Sequence, residues 1–498
     1  MERPAPLDLI PPPAGPATPA DHPLPPRLPD SGEAAAAAAP DGGLASYLWR
    51  LLAVAAGLSG VVYGYQVLLG QQDPAHFPPT FAFVFPVRYF VFGAIFLTAT
   101  TLWPGRRREW AMAAVVGACA YHVYATDPRL LLYAVGIVPA LYGLLGQEDR
   151  PGPRASVRVW LGLAAGVVVV PKVLQDHVEH FAHGSWLDTN QNFFAGLFLR
   201  YAYYYYERRR GLVPAGGFWA HAAYLLFVPQ VTGMLNLPPS EMAARWGFGA
   251  DTLRRGFAAL SWVAVKIPCV LWLERAVLPG WGYARGFEAL HAAPRAELWA
   301  CALVSYVHWA LLISLKFDLL AGLFRFFGVN VDDNFRWPLL ATSPVDLWRR
   351  WNIYNRRLLL KFVYFPLGGN RAHVYRNIFA TFLGSALILH TGYCGSPWWG
   401  LSTGDLQNWL CYFAGQGLVV CAAYWWLNRP WWDRSKDGEP SPWRWPLRGL
   451  GWAFTLGSSA WLHVLPLSAA GGLLNATHAP VEELGQRVAL MWRALGGP

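Results

Sequence analysis

From Ser46 onward the chain repeats one pattern: a long apolar run, then a short polar turn carrying arginines. Apolar runs of about 17–25 residues match the helix length needed to cross a hydrocarbon core ~30 Å thick. The pattern predicts spans near 47–70, 81–103, 109–126, 129–146, 157–174, 190–206, 217–235, 257–279, 297–328, 376–394, 406–428 and 447–470. These define an all-α, polytopic helical membrane protein with about 11–12 hydrophobic segments.

The alternation fails twice. "LPPSEMAARWGFGADTLRR", Leu237 to Arg255, is neither a clean span nor a clean loop, and residues 336–376 hold eight Lys/Arg against the single acid Asp346. Irregular backbone at membrane depth persists only where protein or a water-filled cavity surrounds it. Residues 235–256 and 336–376 are therefore expected to be re-entrant or interfacial elements around a central cavity.

Composition agrees with this class: 54% of residues are hydrophobic and 14% charged, with a mean hydropathy of +0.25. Soluble domains carry roughly 25% charge. The net charge of +10 does not point to nucleic acid, because the cations gather in short clusters between apolar runs, where the positive-inside rule places them. Arg106 to Arg108, then Arg150, Arg154 and Arg158, then Arg208 to Arg210 follow alternate spans. That alternation predicts a cytoplasmic N-terminus and a multi-pass protein of the cell inner membrane. Six cysteines form no CxxC pair, and neither a disulfide framework nor a metal site is expected from them. Residues 1–44 hold 12 of the 40 prolines and an alanine run, and read as a disordered cytoplasmic tail. The expected division is 1–44 tail, 45–215 N-terminal transmembrane helices, 216–396 catalytic core, and 397–498 C-terminal transmembrane helices and tail.

Three places carry chemistry. His390 ends an apolar stretch that has no charge after Arg376. Desolvation there favours the neutral imidazole that a general base requires, although a core histidine bonded to a carbonyl fits the same pattern. Arg349, Arg350, Arg356, Arg357 and Lys361 interleave with Trp348, Trp351, Tyr354, Phe362 and Tyr364. On one helix Arg349 and Arg356 would share a face, with Asn352 four residues before Arg356. Their cations suit an anionic donor such as acyl-CoA phosphates or a lipid headgroup; plain positive-inside anchoring is the alternative. Gly368 and Gly369 in "FPLGGNR" imply tight backbone approach. Lys316 and Asp318 lie deep in an apolar helix, and Asp318 shares a face with Arg325, which suggests an intrahelical charge network.

Residues 220–395 resemble the membrane-bound O-acyltransferase family, especially the bacterial branch of alginate O-acetylation and teichoic-acid D-alanylation proteins. Ser314, Asp318, Gly322, Arg325, Phe327 and Gly328 fit its S-x-x-x-D-x-A-x-G-x-x-R-x-F-G stretch. "NFRWPLLATSPVDLWRRWN" is similar to its N-F…W-R-R-W-H motif, "FVYFPLGGNR" to its Y-I-P-L-G-G-N-R, "ILHTG" to its L-W-H-G, and "LFVPQVTGMLNLPP" to its F-F-P motif. Asn352 replaces the bacterial histidine, as in sterol and diacylglycerol acyltransferases, while Leu389 and Thr391 replace the tryptophan and glycine flanking the family's second histidine. The resemblance implies acyl transfer from a thioester, on CoA or a carrier protein, to a hydroxyl of an exported glycan, a lipid or a small molecule, with no other cofactor. His390 would be the base and Asn352 its partner. Arg349, Arg350 and Arg356 would hold the donor, with Asp318, Arg325, Trp351, Gly368 and Gly369 as positioning residues. The expected partners are membrane lipid, the donor, the acceptor and a polysaccharide-modification or export complex.

Other readings compete. His177, His180 and His183 recur every three residues beside Asp176 and Glu179, a spacing that suits a metal or an interfacial polar turn. Two H-x-x-x-x-D spacings, at His122 and His183, lack a phosphate-binding block. A transporter would show paired halves, and no internal repeat is visible. A non-catalytic scaffold of a polymer-export complex is the remaining alternative.

Overall fold

The computed structural model describes residues 43–68, 87–124, 136–143, 199–208, 212–213, 217–231, 235, 237–281, 287–387, 403–427, 444–465 and 481–496. The proline-rich tail up to residue 42, the span expected at 157–174, the histidines of 177–183 and His390 lie outside them. Among the described residues, sixteen α-helices with both ends defined follow in order: α1 Gly43–Leu68, α2 Val87–Leu102, α3 Arg106–Tyr124, α4 Phe218–Leu225, α5 Val228–Val231, α6 Pro239–Ala244, α7 Ala250–Trp272, α8 Leu278–Trp281, α9 Phe287–Ala292, α10 Arg295–Phe326, α11 Pro344–Arg350, α12 Ile353–Leu359, α13 Val374–Ser385, α14 Thr403–Leu427, α15 Arg444–Leu462 and α16 Val481–Ala494; residues 136–143 and 199–208 are helical as well. Among the described residues there is no strand, and one isolated bridge joins Trp246 to Val329. The protein is all-α.

Among the described residues, three helices are long and apolar enough to cross a membrane: Asp251–Trp272, Arg295–Phe326 and Asn408–Leu427. At 32 residues, α10 is about 48 Å long at 1.5 Å per residue, longer than the hydrocarbon core requires. It is the central post, buried along most of its length, and α7 lies tightly along it. A Cβ on Gly322 would come 2.9 Å from Leu260 Cδ2, and one on Gly256 would come 3.3 Å from Arg325 Cβ. Small residues at both crossings let the helices approach where dispersion must replace the hydrophobic effect.

Two expected spans change shape. The run at 217–235 is not continuous, because α4 ends at Leu225, capped by Leu226, and α5 restarts with Pro229 in its first turn, where proline's missing N–H costs no helical bond. The helix expected from 257 begins earlier, at Ala250 after the extended Gly249. It passes Pro268 and leaves through a π-turn, Leu273–Val277.

Within the irregular stretch expected at 235–256, residues 239–244 form the short α6, 245–249 an extended strip and 250–256 the first turns of α7. That strip lies beside the residues leaving α10: Gly247 N–H donates to Gly328 O at 2.7 Å and Asn330 N–H to Arg245 O at 3.2 Å. Gly328, at φ +84, makes the turn, and a side chain there would run into Phe248. Backbone that is not helical is thereby satisfied within the protein.

Candidate functional site

The arginine-rich segment is not one helix. Ser343 caps α11 by accepting from Asp346 N–H at 3.1 Å, with Pro344 at the first position. The helix stops at Trp351 because Asn352 turns left-handed, φ 42 and ψ 62, before α12 begins. The single-helix face expected for Arg349 and Arg356 is therefore corrected to two helices meeting at a break. Asparagine tolerates this conformation better than other non-glycine residues. Among the described residues, the non-glycine positions of positive φ are Trp337, Asn352 and His373. Trp337 and His373 flank this segment and Asn352 divides it.

Asn334 holds the break. Its backbone O accepts Ile353 N–H at 3.0 Å, its Oδ1 accepts Tyr354 N–H at 2.9 Å, and its Nδ2 donates to Asn352 Oδ1 at 3.0 Å. A backbone N–H only donates, so Tyr354 fixes which end of the Asn334 amide faces it. That in turn fixes Asn352, whose Nδ2 faces away from Asn334. Asn334 is 1% exposed, and sequence reasoning missed it, although it opens the "NFRWP" motif.

The structure sorts the cations by their partners. Arg350 donates to Asp346 at 2.9 Å and to Arg336 O. Arg357 meets Glu241 at 3.1 Å and Asp332 at 3.5 Å, and lies 5.2 Å over the Tyr354 ring. Lys361 pairs with Glu207 at 2.7 Å and sits 4.5 Å over Tyr206. Arg349 and Arg356 are different: the Nε of each is buried with no hydrogen-bond partner, and so are both amide atoms of Asn355. Burial first, then the like charges of Arg349, Arg357 and Arg336, push Arg356 down to about 10. Across the acidic neighbours, burial raises Glu241 despite Arg245 and Arg357. Burial also acts on Asp332, but the hydrogen bond and charge of Arg245, with Arg357, outweigh it and hold that carboxyl below its usual range.

The flanking motifs are structural. Trp351 stacks on Trp309 at 4.7 Å and meets Phe335 edge-on at 5.0 Å. Gly368 and Gly369 have φ +105 and +56, and the turn they form is clamped by Asn377, which donates to Gly369 O at 2.9 Å and Ala372 O at 2.6 Å. Asp318 bonds Lys266 of α7, which also donates to Ser314 at 2.7 Å. Arg325, 1% exposed, donates to Val331 O at 2.7 Å, Arg255 O at 3.0 Å and Asp333 at 2.6 Å. The network expected along one helix is thus one that ties α10 to α7 and to the loop leading to Asn334. His390 lies outside the described residues.

Taken together these features define a class: an all-helical protein with membrane-spanning helices, whose basic segment breaks at a left-handed Asn352 and carries, three residues before and four after it, arginines with a buried, unpartnered Nε. Known proteins narrow it. No family model matches the chain. Over 69 residues, 13% of this chain, it is 42% identical to a peptidoglycan O-acetyltransferase of Helicobacter pylori and 38% identical to the probable alginate O-acetylases of Pseudomonas putida and Pseudomonas aeruginosa. The match spans 13 to 14% of the length of these curated relatives.

Proposed function

We propose that the protein is a membrane O-acyltransferase that moves an acyl group from a thioester to a hydroxyl. The observation that carries this reading is the left-handed break at Asn352, its amide oriented by Asn334 and flanked by Arg349 and Arg356 with unpartnered nitrogens. Strain of ~1–3 kcal/mol persists only where its surroundings impose it, and such strain clusters at functional sites.

In the proposed reaction His390 takes the proton of the acceptor hydroxyl as its oxygen attacks the thioester carbonyl. The carbonyl carbon–sulfur bond then breaks, and the thiolate leaves and is protonated. Asn352 Nδ2 donates to the oxygen that becomes negative in the tetrahedral transition state. Arg349 and Arg356 hold the phosphates that acyl-CoA and acyl-carrier donors share, with Arg350, bound to Asp346, at the margin. The names of the relatives favour an acetyl group and a glycan acceptor; an acceptor outside the cytoplasm and a polysaccharide-modification assembly of the inner membrane complete the proposal.

Thiol release from a panel of acyl-CoAs by the full-length protein in nanodiscs, with glycan acceptors, tests the reading. Release that needs acceptor and falls in both His390→Ala and Asn352→Gly supports it. Release indifferent to both substitutions removes these residues, and silence with acyl-CoA and acyl-carrier donors alike favours a non-catalytic scaffold.

A further inference from the structure

A second polar region lies among the helices away from the arginines. On α14, Asn408, Tyr412 and Gln416 recur every four residues; Thr455, Ser459 and His463 do so along α15 and its last turn; α10 adds Ser305, Tyr306 and His308. Spacing of four places each set on one helix face, and all nine residues are 5% exposed or less. They meet one another: the His463 ring is 4.2 Å from Trp309, 5.7 Å from Tyr306 and 5.9 Å from Tyr412, and Tyr306 hydrogen-bonds Ser459.

The seam contains more polar atoms than it pairs. Both amide atoms of Asn408, both ring nitrogens of His463, Ser305 Oγ and Gln416 Nε2 are buried without a hydrogen-bond partner. Such groups inside a helical bundle are costly unless something bonds to them. One end reaches the strained segment, because Gln416 Oε1 accepts Trp348 Nε1–H at 3.3 Å and Trp309, against His463, also stacks on Trp351. At the other end Arg487 donates to Leu465 O, two residues past His463.

We propose that these faces of α10, α14 and α15 form a binding path for uncharged hydroxyl groups, ending against Trp348 and Trp351. The unpartnered atoms set this chemistry. A primary amide and a neutral imidazole each offer a donor and an acceptor, as a hydroxyl does in return. A phosphate would need a cluster of cations such as that around Arg356, whereas the cation at this end, Arg487, donates to Leu465 O; an acyl chain would leave every one of these atoms unpaired. Water and a neutral polyol share the required chemistry. The path does not depend on the acyl-transfer reading.

The test uses the full-length chain in nanodiscs with its native cysteines replaced. Ser305→Cys and Ser459→Cys, two near-isosteric changes on different helices, are compared with Ala460→Cys, buried at 1%, and Phe454→Cys, exposed at 58% on the outer face of the bundle. Methyl methanethiosulfonate reacts with thiolate, which forms in a hydrated path and not in lipid or a dry core. Modification of both seam cysteines at least about tenfold faster than both controls is expected. Seam rates equal to the controls would overturn the path, whatever the enzyme assay shows. Repeating the labelling in concentrated glucose separates the sources: slowing places sugar hydroxyls in the path, and an unchanged rate places water there.

Discussion

At the scale of single residues, the arrangement separates the chemistry of Asn352 from its conformation. Glycine adopts the left-handed turn without strain, so Asn352→Gly keeps the break and removes only the amide. Loss of one oxyanion donor costs about 10²–10³-fold in kcat, and thiol-release kinetics should show that loss with a stable fold. Asn334→Asp still accepts Tyr354 N–H but no longer donates to Asn352, whose amide then turns its Nδ2 inward. It should lower kcat to the same degree, and in the Asn352→Gly background it should do nothing further. Added loss in the double variant would mean that Asn334 acts otherwise than through Asn352. Arg356 supplies a pH signature. An anion needs its charged form, and burial with neighbouring cations puts its titration at about 10. CoA affinity should therefore fall about threefold to fivefold between pH 8 and 10.5 by calorimetry, while Arg356→Gln binds weakly at both. Asn352 and the arginines were legible because their residue types are costly or unusual in that setting. Asn334 was not, since its importance lies in which atom faces which backbone group.

At the scale of elements, charge inside apolar helices could be recognised but not paired. Asp318 stood out on α10, and its seven-residue spacing from Arg325 suggested a shared face. Its partner is Lys266, on a helix remote in sequence, and one-dimensional periodicity holds no information about which helix lies alongside. The glycines that bring α7 and α10 together are equally silent until both helices are placed. Removing one partner of such a pair strands a buried charge at about 3–5 kcal/mol, whereas replacing both by apolar residues of similar volume is close to neutral or stabilising. Asp318→Leu should accordingly lower the midpoint of thermal unfolding in detergent, and Lys266→Met added to it should restore most of the loss. A double variant as unstable as the sum of the singles would show that the two charges serve separate partners. Breaks were less legible than runs. The segment 348–364 has the composition of one amphipathic helix, and the left-handed Asn352 that divides it is fixed by bonds to residue 334, outside the segment itself.

At the scale of the molecule, the long apolar helices were legible in the hydropathy pattern, and the local contacts connect their ends to a question of sidedness. Arg106, at the start of α3, donates to Ala243 O at 3.0 Å, and Glu109 one turn on accepts Trp246 Nε1–H at 3.1 Å. Residues 241–246 in turn hold Arg357 and Asp332 through Glu241 and Arg245. The first arginine cluster that the positive-inside rule assigns to the cytoplasm thus lies level with the acidic partners of the strained segment. If the rule holds, the donor side opens inward, where thioester donors are made. The uncharged seam of α10, α14 and α15 would then approach the same tryptophans from another direction. Cysteines at Arg108 and Arg336, both exposed, make this measurable. In intact cells neither should react with a membrane-impermeant maleimide, and both should react in inverted vesicles. Labelling of the two positions from opposite sides would break the chain of contacts from Arg106 to Arg357. Labelling of both from outside would keep that chain and invert the protein, which would leave an intracellular thioester without access to Arg349 and Arg356.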